Sequence, residues 1–144
     1  VSGSGADRAD AFTIPVEVVA ADIDAQQHVN NVVYLRWIND VAVAHWFARA
    51  SPALQARYAW VATRHEIDYR RAAVLGDRLT ARTWVGQVDS RRFERLSEIV
   101  RDRDGVVCAS ARTLWCPVDA ATGKVVRIAG ELRECFPGVG SPLG

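Results

Sequence analysis

The chain reads as an α+β protein in which one antiparallel sheet is built around one long helix. Three observations carry that prediction. Over the second half of the chain, strand-like segments follow one another with only tight turns between them. Ahead of them, a helical stretch running from Asn30 or Asn31 to about Arg49 is apolar over most of its circumference, as only a helix enclosed by other elements can be. The chain also has 144 residues, 49% hydrophobic and 24% charged. That is enough for one core burying ~70% of the surface of the unfolded chain, and a tight fit for two. Val1-Ser2-Gly3-Ser4-Gly5 lacks the basic-then-apolar order of a signal peptide and reads as a flexible leader. The expected division is a leader over 1–10, one domain over 11–137 and a tail over 138–144.

The elements follow in order. Residues 12–20 (FTIPVEVVA) are rich in β-branched side chains and predict a strand. The polar run from Asp22 to His28 predicts a loop, after which Asn30 or Asn31 caps the helix. Val32, Val33, Leu35, Trp37, Ile38, Val41, Trp46 and Phe47 spread around that helix, leaving Arg36, Asn39 and Asp40 as a narrow wet edge; Pro52 helps to end it. In residues 60–70, Val61, Ile67 and Tyr69 alternate with Arg64, Glu66, Asp68 and Arg70, the period of a strand with one wet face. Leu75-Gly76-Asp77 turns the chain into a strand over 78–88, Asp89-Ser90 into one over 91–101, and Arg103-Asp104-Gly105 into one over 106–117. A short helix is expected within 130–136. Tight turns imply antiparallel neighbours, and the open edges of such a sheet invite pairing with a second copy.

Composition narrows the partners. The formal net charge is +1 and the mean hydropathy −0.03, which gives no reason to expect nucleic acid or an anionic membrane. No apolar run reaches the ~20 residues that cross a bilayer. Cys108, Cys116 and Cys135 form no Cys-x-x-Cys pair, and an odd number argues against a complete disulfide framework. Cys108 and Cys116 stand in an apolar stretch where buried, inert thiols are the rule, and a reducing cytoplasm fits them. His28, His45 and His65 are too scattered for a zinc pattern, and Asp24 with His28 lacks a third ligand, so no metal is expected. Lys124 is the only lysine among 18 cationic side chains. Arginine suits two-pronged recognition of phosphate or carboxylate.

The densest polar cluster, Asp22, Asp24, Gln26, Gln27, His28, Asn30 and Asn31, stands directly before the long helix. A helix N-terminus offers unpaired N–H groups and a partial positive charge, which suit an oxygen that turns negative in a transition state. A carboxylate beside it can activate water or attack directly, and an imidazole can position protons. Acyl transfer needs these parts together. No Gly-x-Ser-x-Gly elbow and no glycine-rich phosphate loop is present.

The run Asp22-Ile-Asp24-Ala-Gln-Gln-His28-Val-Asn30-Asn31-Val-Val-Tyr34-Leu-Arg-Trp37 resembles the signature of the hotdog-fold acyl thioesterases, both the 4-hydroxybenzoyl-CoA thioesterase-like enzymes and the plant acyl-carrier-protein thioesterases. Glu66-Ile67-Asp68-Tyr69-Arg70-Arg71 through Leu75-Gly76-Asp77, and Gly123-Lys-Val-Val-Arg-Ile128 before Glu131-Leu132, extend the resemblance over about residues 12–136. It implies a hotdog, a five-stranded antiparallel sheet wrapped around a central helix, active as a homodimer or dimer of dimers with sites at the subunit interface.

By resemblance, Asp24 is the nucleophile or general base, His28 positions water or Asp24, and the N–H of Asn31 polarises the thioester carbonyl. Asn30 supports the loop, Gln26 takes part in holding the water, and Tyr34 stands near the acyl pocket. Gln26 replaces an asparagine of the plant-type motif, and Ala72 stands where those enzymes carry a glutamate, so the chain is closer to the bacterial acyl-CoA type. The expected substrate is an acyl-CoA, with no cofactor beyond the CoA it brings. Arg91 and Arg92, opening a strand after a turn, are candidates for its phosphates, as are Arg70 and Arg71. An acyl-carrier-protein thioesterase and a non-catalytic acyl-CoA-binding module are the alternatives.

Overall fold

The computed structural model describes residues 11–136; the expected leader (1–10) and tail (138–144) lie outside them. Strand β1 (Phe12–Glu17) leads through a 3-10 turn (Ala20–Asp22) and a loop into helix α1 (Asn31–Arg49). A short helix α2 (Pro52–Arg57) follows, then β2 (Tyr58–Tyr69), β3 (Arg78–Val88), β4 (Phe93–Arg101), β5 (Val107–Asp119) and helix α3 (Gly130–Glu134). The strands form one antiparallel sheet in the order β1-β3-β4-β5-β2, and α1 packs on it against β1, β3 and β4. This is the α+β arrangement the sequence predicts, one sheet around one long helix.

Local chemistry fixes the ends of α1. Of the two candidate caps it is Asn30 that acts: its backbone is extended and its side chain accepts the N–H of Val32 at 3.1 Å. At the other end Ser51 accepts the N–H of Leu54 at 3.2 Å and starts α2. Pro52 thus opens a second helix instead of only closing the first, because its missing N–H and fixed φ suit a first helical turn.

Three further expectations are corrected. The turn before β3 does not join neighbours: β2 pairs with β5 at the far edge, so residues 70–77 cross the end of the sheet. The crossing is held by the N–H groups of Arg70 and Arg71, which donate to the carbonyl of Cys108 at 2.8 and 3.2 Å, and by buried Ala73. In β2, the register slips between Ala62 and Arg64. This extra residue switches the inward face from Tyr58 and Trp60 to Ile67, so Val61 points outward and is exposed, while Tyr69 turns toward Tyr34 and Asn31 yet stays exposed at the strand's end. Finally, α1 is not buried most of the way round: Val32, Val43 and Phe47 are exposed.

The core has two parts. Beside the N-terminal half of α1, Val33, Tyr34, Trp37, Ile38 and Val41 pack with Val18, Val29, Leu79, Ile99 and Cys108. Burial pushes the Cys108 thiol above its ordinary range, as an inert core cysteine requires. Beside the C-terminal end, Trp46 packs with Tyr58, Val88, Phe93, Leu132 and Phe136. Between the two lies a buried polar seam of His45, Thr83, Arg95 and Ser97, tied by the Ser97 hydroxyl donating to Thr83 at 3.0 Å and by Arg95 Nη1 donating to Thr83 Oγ1 at 3.1 Å.

Candidate active site

The polar run before α1 folds into a small hairpin. The N–H of Asp24 donates to the carbonyl of His28, and that of Gln27 to the carbonyl of Asp24, both at 3.0 Å; Ile23 bridges Val29. Gln27 completes the reversal in the left-handed region, at φ 65°. Asp24 and His28 therefore face each other at the backbone. Asp24 is half-buried, with one carboxylate oxygen accepting the N–H of Gln26 at 2.9 Å. His28 and Gln26 are exposed. Gln26 enters the site through its backbone N–H, which makes the length of its side chain secondary at this contact.

The sequence pattern groups Asp22 with Asp24 and places Arg36 on the wet edge of α1, with nothing local to join them. In the fold these two clamp the loop to the helix. Asp22, 2% exposed, accepts the N–H of Val19 at 3.0 Å on one oxygen and Arg36 Nη2 at 2.9 Å on the other. Its carbonyl takes the N–H of Asn30 at 2.8 Å. Two aspartates two residues apart thus separate into a buried one bound on both oxygens and a partly exposed one at the loop surface. No local pattern distinguishes them, because Arg36 reaches Asp22 through tertiary folding.

Asn31 begins α1, so its N–H belongs to the turn that finds no acceptor within the helix. Its carbonyl accepts the hydroxyl of Tyr69 at 3.1 Å. Tyr34 is 2% exposed, and its hydroxyl accepts the N–H of Ala73 at 3.0 Å. Its ring meets Trp37 and Tyr69 edge to face at 5.5 and 5.6 Å. Burial raises the phenol above its ordinary range. Tyr34 therefore joins the crossing segment to the helix; Val29 ties to the same residue by donating its N–H to the carbonyl of Ala73 at 2.9 Å. Loop, helix start and crossing segment form one unit.

The arginine candidates divide. Arg70 and Arg71 lie on the crossing segment at the Asp24 end, both exposed, with Arg70 Nε donating to Ser110 at 3.2 Å. Arg91 and Arg92 do not open β4, which starts at Phe93. They occupy the turn before it, where Asp89 accepts both their N–H groups at 2.8 and 2.7 Å and pairs with the Arg92 side chain at 3.0 Å. Partial burial opposes charge on Asp89, but these donors outweigh it and hold its carboxyl below the usual range. β3 begins beside the Asp24 loop, where the N–H of Val18 meets the carbonyl of Asp77. Its length, at ~3.3 Å per residue, puts the 89–92 turn roughly 33 Å away. Within one chain Arg91 and Arg92 are not brought to Asp24.

Residues 18–136 match the family model of the thioesterase-like superfamily. Over 124 residues the chain is 32% identical to the long-chain acyl-CoA thioesterase FadM of Escherichia coli (strain K12), spanning 83% of this chain and 92% of that protein. Among solved structures it is similar to YbaW, a probable thioesterase from Escherichia coli, with 29% identity and a TM-score of 0.74 over 86% of this chain and 95% of that one. It shares the fold of SAV2348 from Staphylococcus aureus, solved in complex with CoA, at 16% identity and a TM-score of 0.76 over 87% of this chain and 80% of that one. Among the described residues, no helix is long and apolar enough to cross a membrane.

Proposed function

The chain belongs to the thioesterase-like superfamily and is a thioester hydrolase; from that premise we propose that it cleaves acyl-CoA at the hairpin leading into α1. The Asp24 carboxylate activates a water, or attacks the thioester carbonyl itself. The N–H of Asn31 at the start of α1 stabilises the oxyanion, where donors aimed at developing charge have their largest effect, and His28 orients the water or Asp24. Collapse breaks the C–S bond and the sulfur takes up a proton as CoA thiol. On the water route the acyl group leaves directly as the free acid; on the direct route it forms a mixed anhydride with Asp24 that a water hydrolyses to the free acid and the Asp24 carboxylate. Water is the only co-reactant. The observation that carries this reading is that Asp24 belongs to the hairpin whose next residue but one past His28, Asn30, caps α1. The similarity to FadM, a long-chain acyl-CoA thioesterase, favours CoA over a carrier protein as the thiol.

The same reading takes the active unit as a homodimer or a dimer of dimers joined along β2. It is supported by β2 being a 12-residue edge strand with unpaired backbone groups along one side. Antiparallel pairing there would bring the 89–92 turn of one copy toward the Asp24 loop of the other, and with it Arg91 and Arg92 toward the phosphates of CoA.

The test is release of free thiol from short, long and aromatic acyl-CoAs, and from one acyl group carried on both CoA and acyl-carrier protein. Turnover of at least one acyl-CoA, lost in Asp24→Asn, is expected. Near-normal turnover in that variant overturns the assignment of Asp24. Tight acyl-CoA binding with no thiol release overturns catalysis and leaves a binding module.

A further inference from the structure

At the opposite end of α1 from Asp24, the second part of the core forms a half-open cavity of about 300 Å³ walled by aromatic rings, among them Trp46, Trp60, Phe93, Trp115 and Phe136. The volume is at the low end of the range for small-molecule sites. Arg95 also lines it. This side chain is 7% exposed and stands at an inward position of β4 between Phe93 and Ser97. Nη1 donates to Thr83 and meets His45 Nδ1 at 2.9 Å, and the guanidinium lies 5.5 Å from the centre of the Phe136 ring. Among the described residues no carboxylate pairs with it. Burial lowers its pKa to about 10, which still leaves the cation in place at neutral pH. In the same wall, the indole N–H groups of Trp60 and Trp115 are buried and find no acceptor among the described residues.

A buried cation without a counter-charge is costly, and buried donors without acceptors are costly too. One kind of ligand answers both: an apolar or aromatic body, for the walls, carrying a carboxylate, for the donors. We propose that this cavity binds an organic carboxylate, its anion held by Arg95 with the indole N–H of Trp60 or Trp115. Three other arginines with partly buried side chains pair with acids: Arg101 with Asp104, Arg82 with Glu98 and Arg112 with Glu94. Arg95 differs from these in being deeply buried, without an acidic partner among the described residues, and beside open space.

The carboxylate has two sources. It is a free acid, the class of compound that thioester hydrolysis releases, or it is the distal end of an acyl group still attached to CoA. The second source rests on the thioesterase reading and the first does not. α1 has 19 residues and at ~1.5 Å each is roughly 28 Å long, so an acyl group attached at Asp24 reaches such a cavity only in a partner copy, whereas a free acid needs no partner.

Quenching of tryptophan fluorescence on addition of octanoate or 3-phenylpropanoate, against 1-octanol or 3-phenylpropan-1-ol, measures the carboxylate preference without any turnover. Hydrolysis of ω-carboxyacyl-CoA against the acyl-CoA of equal length measures it at the distal end of a substrate. At least a ~10-fold preference is expected in one of the two assays, the scale of a charge-assisted hydrogen bond. It should fall to near one in Arg95→Gln and by a smaller factor in Trp60→Phe, which keeps the ring and removes the N–H. Preference in the binding assay assigns the site to free acids; preference confined to hydrolysis assigns it to the acyl group. If Arg95→Gln does not fold, by far-UV circular dichroism, Trp60→Phe and Trp115→Phe carry the test. Equal affinity for acid and alcohol together with equal hydrolysis rates overturns the proposal, as does a preference untouched by these variants.

Discussion

The two ends of α1 solve opposite problems. At its N-terminus the chain gathers polar groups and satisfies them: Asp22 binds on both oxygens, Asn30 caps the helix, and the Tyr34 hydroxyl takes the N–H of Ala73. One acidic group, Asp24, is left partly exposed. At its C-terminus the chain gathers aromatic rings and leaves polar groups unmatched: Arg95 has no carboxylate and two indole N–H groups have no acceptor among the described residues. A saturated network rigidifies what it surrounds, which suits groups that must be aimed at a reacting carbonyl. An unsaturated pocket gains by taking in a ligand. On the proposed readings, the same helix offers a rigid end for chemistry and a receptive end for binding.

The sharpest way to break this comparison is at Asp24. Asp24→Asn keeps an oxygen to accept the N–H of Gln26 and should leave the thermal midpoint nearly unchanged. Turnover should fall at least ~100-fold, the lower range for acid–base catalysis, or about 2.7 kcal/mol at the barrier. Thiol-release kinetics alongside thermal melting read both. Asp22→Ala should do the reverse in emphasis. Removing a buried acceptor leaves the Val19 N–H and Arg36 without a partner and should cost about 2–3 kcal/mol of stability, with activity following as the loop loosens. Since the Arg36 side chain is 56% exposed, the ion pair itself adds little, and Asp22→Asn should restore more than half of the loss. Urea unfolding of the two variants checks the ranking.

What the sequence discloses and what it hides follow from the range of the interactions. Asn30, Gly76 and Gly105 are legible because capping and left-handed turns act within a few residues: φ is 87° at Gly76 and 69° at Gly105, where only glycine is unstrained. The motif around Asp24 is legible for the same reason. The slip at Ala62 and Arg64 is not, because one extra residue reverses a strand's facing without altering its composition. The clamp between Asp22 and Arg36 is set by tertiary folding. Arg95 is the instructive miss. Charge draws attention to Arg91 and Arg92 in the preceding turn, yet Phe93, Ser97 and Ile99 share one face of β4, and their alternation puts Arg95 inward with them.

Tyr34→Phe sharpens the comparison at intermediate size. The ring keeps its contacts with Trp37 and Tyr69, and only the acceptor for the Ala73 N–H is lost. A buried N–H left unpaired should cost about 1–2 kcal/mol, read by chemical denaturation. The amide of Ala73 should also exchange with solvent faster, since it joins the crossing segment to the helix. If stability is unchanged, the N-terminal end is not the saturated network described above.

The smallest effect is the most discriminating, because it compares two equal losses. Asn30 and Ser51 each cap a helix with one side-chain oxygen, Asn30 at the start of α1 and Ser51 at the start of α2 beyond its other end. Asn30→Ala and Ser51→Ala should each cost about 1 kcal/mol of stability, the usual worth of an N-cap. Their effects on turnover should differ. Loss of the Asn30 cap frays the turn that carries the Asn31 N–H, and a donor shifted by fractions of an ångström loses much of its hold on a developing oxyanion. kcat should therefore fall several-fold in Asn30→Ala and stay within twofold in Ser51→Ala. Equal turnover in two equally destabilised variants would mean that the start of α1 is ordinary helix, and the oxyanion would have to be held elsewhere.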